Sequence, residues 1–384
     1  MKIYISLVSI LLTLSLNAQN CTSCTVTIST FNSTPQVVPA GTTLCVASGA
    51  ELSGNLVISG GTVCNEGTIS SPNIAMSSGV INNYGVIFSP KLGVTGGNIT
   101  NYNLGVVTVD SIGISVNGSV ITNNHEWTSK YIGLTSLGGT QPVWNNSGSL
   151  FTDSIGVTNW TMNLSGTFVA NYDFGFNVNS VINNSGLFDV WRDFGNDASS
   201  TFNNSDQATI GRDFGNVGTV YNTCTIDVGR DFANSGTVTG PTTSCGKISV
   251  AQVSANSGSF GADGSNIDLC DATGNGFDGN IGTIGNNVTN CACTAGCAPL
   301  NIQQNVLNNV SVFPNPFRDF TTFELQSEGK YQIQIYNLNG KSIFIDSFTS
   351  SNYKLISKEF KSGIYFYRIS PENGTDAVGK LIVK

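Results

Sequence analysis

The chain has 384 residues with a net charge of −8, 10% charged residues, ten cysteines and a single histidine, His125. So acidic and cation-poor a chain is a poor partner for nucleic acid or an anionic membrane surface. One histidine leaves no His–His acid/base pair, and a His-bearing zinc site would need Cys291, Cys293 or Cys297 as thiolates.

Met1-Lys2, an apolar run from Ile3 to Leu16 and the small-residue end at Ala18 predict a secretory signal peptide over residues 1–18. The apolar run is too short to span a bilayer, and nothing later in the chain approaches the length of a transmembrane segment. All ten cysteines follow the signal, an even number on an oxidising route, which favours disulfides over metal ligands.

From residue 37 to 239 a short phrase recurs, as in Ile81-Asn82-Asn83-Tyr84-Gly85, Val143-Trp144-Asn145-Asn146-Ser147-Gly148 and Ile182-Asn183-Asn184-Ser185-Gly186. A second phrase keeps step with it at Leu92, Ile112, Ile132, Ile155, Phe174, Phe194, Phe214 and Phe232, with spacings of 20, 20, 23, 19, 20, 20 and 18. Short β-rich runs separated by Asn/Gly corners at a period near twenty predict an all-β body, a parallel β-solenoid over residues 19–250. One coil cannot bury its apolar side, so coils must stack, about ten to twelve of them over roughly 50 to 60 Å. The alignment places Ile182, Phe202 and Tyr221 in one inward column, Val190, Ile210 and Val228 in a second, and Phe194, Phe214 and Phe232 in a third. Stacked asparagines can bond along the axis as a ladder, and Gly and Asn suit left-handed corners.

Cys45 and Cys64 lie one coil apart, as do Cys224 and Cys245, which predicts disulfides Cys45–Cys64 and Cys224–Cys245 stapling the two ends. Cys21 and Cys24 fall on an N-terminal cap. Cys270, Cys291, Cys293 and Cys297 close a Cys/Gly/Asn-rich cap segment, 251–300, with connectivity left open.

Three successive coils carry Arg192-Asp193-Phe194, Arg212-Asp213-Phe214 and Arg230-Asp231-Phe232. An Arg column beside an Asp column is a candidate strip for an acidic or hydroxyl-rich polysaccharide, because Arg presents a planar fork. The competing reading is that Arg of one coil pairs with Asp of the next and the strip is a solvated face. Trp127, Trp144, Trp160 and Trp191 are sugar-stacking candidates if exposed and core fillers if not. The segment opening at Asp271, with Asn275 and Asp278, spaces oxygen ligands as a calcium loop does, but Gly282 stands where such a loop needs a bidentate acid, and the same residues are ordinary turn formers. No other cofactor is expected. Asp110-Ser111-Ile112 and Asp153-Ser154-Ile155 resemble the Asp-Ser/Thr-aliphatic acceptor of Bacteroidetes O-glycosylation, at Ser111 and Ser154. No catalytic residue is assigned, since a triplet repeated unchanged differs from the single asymmetric constellation that catalysis needs.

The composition then changes: residues 19–300 hold six Lys/Arg against seventeen Asp/Glu, residues 301–384 nine against seven. A polar linker at 301–309 precedes alternating runs such as Tyr331-Gln332-Ile333-Gln334-Ile335-Tyr336, with Asn339-Gly340 as a hairpin turn, so 310–384 is predicted to be a small antiparallel β-sandwich. Phe313-Pro314-Asn315-Pro316, the block at Gly363-Ile364-Tyr365 and the closing run at Lys380 resemble the type A C-terminal sorting domain of the type IX secretion system of Bacteroidetes. The resemblance implies recognition by the type IX translocon, removal by a sortase-like peptidase with a cut between 298 and 309, and attachment of the released body to an anionic lipopolysaccharide. The body then reads as a cell-surface or secreted structural or adhesive module binding glycans or surfaces, with a polysaccharide lyase or hydrolase, or a passive spacer, as alternatives.

Overall fold

Backbone hydrogen bonding in the repeat body runs mostly between coils. The computed structural model describes residues 20–136, 138–262, 264–274, 276–293, 310–315, 317–325, 328–337, 342–356, 360–361, 363–371 and 377–383. The signal peptide, Cys297, Asn275, Pro316, the linker and the Asn339-Gly340 turn lie outside them. Contacts divide the chain into two units, residues 1–297 and 298–384.

The first unit is a parallel β-solenoid of 35 strands. Its coils have three sides. On one side thirteen successive parallel pairings run from Val26–Ile28 to Thr283–Ile284. At the usual strand spacing these steps extend roughly 60 Å. Parallel pairing continues through Val288–Asn290, so the segment expected as a separate cap from 251 supplies further coils, and the solenoid does not end at 250.

Alternate residues point inward, and the inward columns form one continuous core. Two of the three expected columns hold: Val190, Ile210 and Val228 are in register, as are Phe194, Phe214 and Phe232. In the other, Phe202 pairs with Val220, and Tyr221 faces out at 41% exposure. The interval there is eighteen residues, and a one-residue slip moves a side chain to the opposite face.

Asparagine completes each turn of the corner. Asn65 Nδ2 donates to Asn83 Oδ1, and the relay continues to Asn101, Asn123 and Asn146 at 2.7 to 2.8 Å. These side chains also donate to backbone carbonyls, as Asn101 does to Gly105 and Glu126. Leu164 interrupts the column, which resumes from Asn184 to Asn222. A second ladder runs from Asn196 to Asn280. Each acceptor is filled by the preceding coil's donor, so the first members, Asn65 and Asn196, have buried Oδ1 atoms without a partner.

Corner glycines such as Gly166 and Gly186 are required for another reason than the left-handed corner expected from sequence. A Cβ on Gly166 would lie 2.1 Å from the Gly148 carbonyl oxygen, and one on Gly186 2.2 Å from that of Gly166. At these two positions the preceding coil's carbonyl sits too close for a side chain, and neither glycine is among those with positive φ.

Neither predicted disulfide forms. Cys45 and Cys64 are in-register partners on adjacent coils, where the Cβ bonds run parallel about a strand spacing apart rather than converging to the shorter Cβ separation a disulfide needs. Each is bridged instead to the N-terminal segment, Cys24–Cys45 and Cys21–Cys64. At the other end Cys245 bonds Cys293, and Cys270 bonds Cys291; Cys224 is disulfide-bonded as well, but not to Cys245. Cys291 follows the last strand with φ +50°, and that change of backbone lets its Cβ leave the parallel direction and meet Cys270.

The second unit holds a three-stranded and a four-stranded antiparallel sheet, Ser311–Phe313, Phe320–Glu324 and Asn352–Ile356 in one, Lys330–Tyr336, Ser342–Thr349, Gly363–Pro371 and Ala377–Val383 in the other. Phe323, Ile333, Ile335, Leu355, Ile369 and Leu381 share its core, as the predicted β-sandwich requires.

Two outcomes follow. Replacing Asn101 with Leu strands the Asn123 Oδ1 acceptor and two backbone carbonyls, and is expected to cost about 1–3 kcal/mol in denaturant unfolding; no change would mean that the ladder carries no stability. Peptide mapping of non-reduced protein is expected to recover Cys21–Cys64 and Cys24–Cys45, and recovery of a Cys45–Cys64 peptide would contradict the N-terminal clamp.

Candidate functional site

One corner of the solenoid gathers the charged candidates. In the middle coils it is crossed by continuous strands, Val106–Ser115, Glu126–Thr135 and Ser149–Thr158. In later coils it separates two short strands, as between Leu187–Val190 and Phe194–Asn196. Inward residues on both flanks anchor it, so the two or three residues at the turn point to solvent.

The Arg–Asp strip is a ladder of pairs between coils. Arg192 Nε lies 3.4 Å from Asp173 Oδ1, and Arg212 Nε 3.4 Å from Asp193 Oδ1. Arg230 engages Asp213 through both Nε and a terminal nitrogen. Every arginine reaches back to the aspartate of the preceding coil, which is the competing reading of the strip; Asp173, outside the repeated triplet, starts the series. The aspartates also accept the next coil's backbone N–H, Asp193 N to Asp173 at 3.3 Å and Asp213 N to Asp193 at 3.3 Å. The hydrogen bond from Arg230 holds the Asp213 carboxyl below its ordinary range. Further along the same corner Lys130 Nζ is 2.9 Å from Asp110 Oδ1, and donating to the Asp110 carboxylate raises the ammonium's pKa.

The tryptophans divide by exposure. Trp127, Trp144 and Trp160 are fully buried, as core filling requires, whereas Trp191 is 59% exposed. Its Nε1 donates to Asp189 Oδ2 at 3.1 Å, which holds the ring against the surface. Tyr172 and Tyr131 stand on the same edge, 48% and 60% exposed, and the Arg192 guanidinium lies 5.9 Å from the Tyr172 ring centroid. Sequence reasoning missed this grouping because coil geometry, not residue type, sets which aromatics face out. The one local signal was that Trp191 directly precedes the Arg192-Asp193 pair at a turn.

Ser111, Tyr131 and Ser154 are register neighbours on successive coils. Ser111 is exposed and Ser154 half-buried; beside them Asp110 is held by Lys130, and Asp153 accepts a 2.9 Å bond from Asn171.

Asp271 and Asp278 come together around Ser254. Asp271 Oδ1 accepts from the Thr273 N–H and hydroxyl and from Gly274 N, while Oδ2 accepts from Ser254 Oγ at 3.0 Å. Burial pushes this carboxyl up, but the hydrogen bonds outweigh it and the net shift is downward. Asp278 Oδ2 accepts from Ser254 N at 2.9 Å. Oδ1 of Asp271 thus caps its own turn while Oδ2 is held by Ser254, and among the described residues no group of three or more acidic, His or Cys side chains is arranged to hold a metal ion.

In the second unit the resemblance-bearing blocks meet on neighbouring strands: Gly363 pairs with Val383, Tyr365 with Leu381 and Phe366 with Lys380. Phe313 ends a strand of the other sheet, followed by Pro314 and Asn315. No helix among the described residues is long and apolar enough to cross a membrane.

An endo-acting ulvan lyase of Formosa agariphila is 32% identical over 88 residues, 22% of this chain and 17% of that protein; the chain therefore spans under a fifth of that relative's length. A solved chain of PorZ, a surface component of the type-IX secretion system of Porphyromonas gingivalis, shares 18% identity over 23% of this chain and 14% of its own, with a TM-score of 0.19. Residues 311–384 match the family described as the secretion system C-terminal sorting domain. That match, on a unit in which the Gly363 and Lys380 blocks pair in one sheet, makes the chain a β-solenoid protein carrying a type IX C-terminal sorting domain, which directs it to the cell surface or beyond.

Proposed function

We propose that the solenoid is an adhesive, glycan-binding rod displayed or released by the type IX route, and that it binds through the corner bearing Tyr131, Tyr172 and Trp191. The observation that carries this reading is Trp191, the exposed member of a tryptophan set whose other three members are buried. An exposed indole costs its apolar contact area unless a partner covers it, and its ring offers a flat face to the C–H face of a sugar. Beside it, half-exposed Arg and Asp offer donors and acceptors to hydroxyl groups. Repetition along the edge lets weak contacts act together. In this reading the sorting domain engages the type IX translocon and a sortase-like peptidase, and the released body is joined to lipopolysaccharide.

A second reading, a polysaccharide-active enzyme, is favoured by the partial likeness to an endo-acting ulvan lyase.

Retention of the purified protein on insoluble and acidic polysaccharides, with sugar ends assayed in the same tubes, separates the two. The expected result is retention without product, reduced about tenfold or more by Trp191→Ala. Release of sugar ends would replace the adhesive reading with the enzymatic one, and absence of both would leave the rod as a spacer.

A further inference from the structure

Glycan ligands divide into charged and uncharged polymers, and the corner's ion pairing discriminates between them. Resting on the glycan reading above, we infer that the ligand is an uncharged, hydroxyl-rich polysaccharide lying parallel to the stacking axis.

Four cations of the corner are already engaged: Lys130 with Asp110, Arg192 with Asp173, Arg212 with Asp193 and Arg230 with Asp213. With Lys91, in register with Ser111 and so on the Tyr131 column, five cations there face seven carboxylates, the four just named with Asp153, Asp189 and Asp231, so the edge keeps a negative excess within an acidic chain. A uronate or sulfate polymer would have to break these pairs and then meet the surplus carboxylates, which electrostatic complementarity disfavours. A hydroxyl is both donor and acceptor. It can take an N–H that the guanidinium leaves unused, or give its proton to a carboxylate oxygen, without separating the pair.

The direction follows from the aromatics. Tyr131 is in register with Ser154, the Tyr172 N–H bonds the Asp153 carbonyl, and Arg192, next to Trp191, covers the Tyr172 ring. The three rings therefore span three coil steps, about 14 Å at the strand spacing. A chain along the axis meets all three, and one crossing the edge meets one. Gly211 and Gly229 occupy the Trp191 position in the next coils, so the aromatic track ends at Trp191 on that side.

The test is calorimetric titration of the full chain with graded oligosaccharides from a panel of uncharged linear glucans, mannans and galactans, and with oligouronates of matching lengths, at low and high salt. Uncharged oligomers are expected to bind, more tightly with length until the chain spans Tyr131 to Trp191, with little salt dependence. Trp191→Ala and Tyr172→Ala are each expected to weaken binding about tenfold while leaving the melting temperature unchanged. Salt-sensitive binding confined to oligouronates, lost when Arg192, Arg212 and Arg230 become Gln, would overturn the uncharged class and leave the glycan reading standing. Affinity independent of length would overturn the axial orientation. No binding in either class, or binding untouched by the aromatic replacements, would overturn the glycan reading itself.

Discussion

Parallel, in-register stacking governs everything else in the solenoid. Each coil leaves its backbone donors and acceptors for its neighbours, so the same position recurs at one strand spacing along the rod. That regularity turns single residues into columns. An inward Ile or Phe becomes part of a continuous core, a corner Asn becomes a relay, and a corner Gly such as Gly166 becomes necessary because the preceding coil's carbonyl sits where its Cβ would be. It also denies a disulfide to Cys45 and Cys64, whose side chains it holds parallel.

The same constraint shapes the charged corner. Like charges in register repel, and the strip relieves this by offsetting each arginine onto the aspartate of the coil before. Half-exposed pairs of this kind add little stability, about 0–1 kcal/mol each; what they set is the character of the surface. The edge is rich in donors and acceptors yet holds no surplus of positive charge, and where Tyr131, Tyr172 and Trp191 stand on it, the surface combines flat apolar rings with hydrogen-bonding groups.

The sorting domain is built on different physics, with local antiparallel hairpins and a compact core rather than axial repetition. Its charge balance differs accordingly.

The sequence by itself determined the solenoid, the period near twenty, two of the three inward columns, the asparagine relay and the C-terminal domain, because each depends on a pattern repeated with fixed spacing or on motifs in fixed order. Only the tertiary structure decided what depends on direction. Tyr221 stands outside because one coil is two residues shorter than its predecessor; Cys45 and Cys64 share a column but not a bond because their Cβ vectors are parallel; the coils run on to Asn290 because degenerate residues still satisfy the backbone of the preceding turn. The candidate site was half legible. The Arg-Asp triplets announced a strip, whereas the exposure of Trp191 and the role of Asp173 depend on which way the chain turns at a corner, and residue type alone does not encode that orientation.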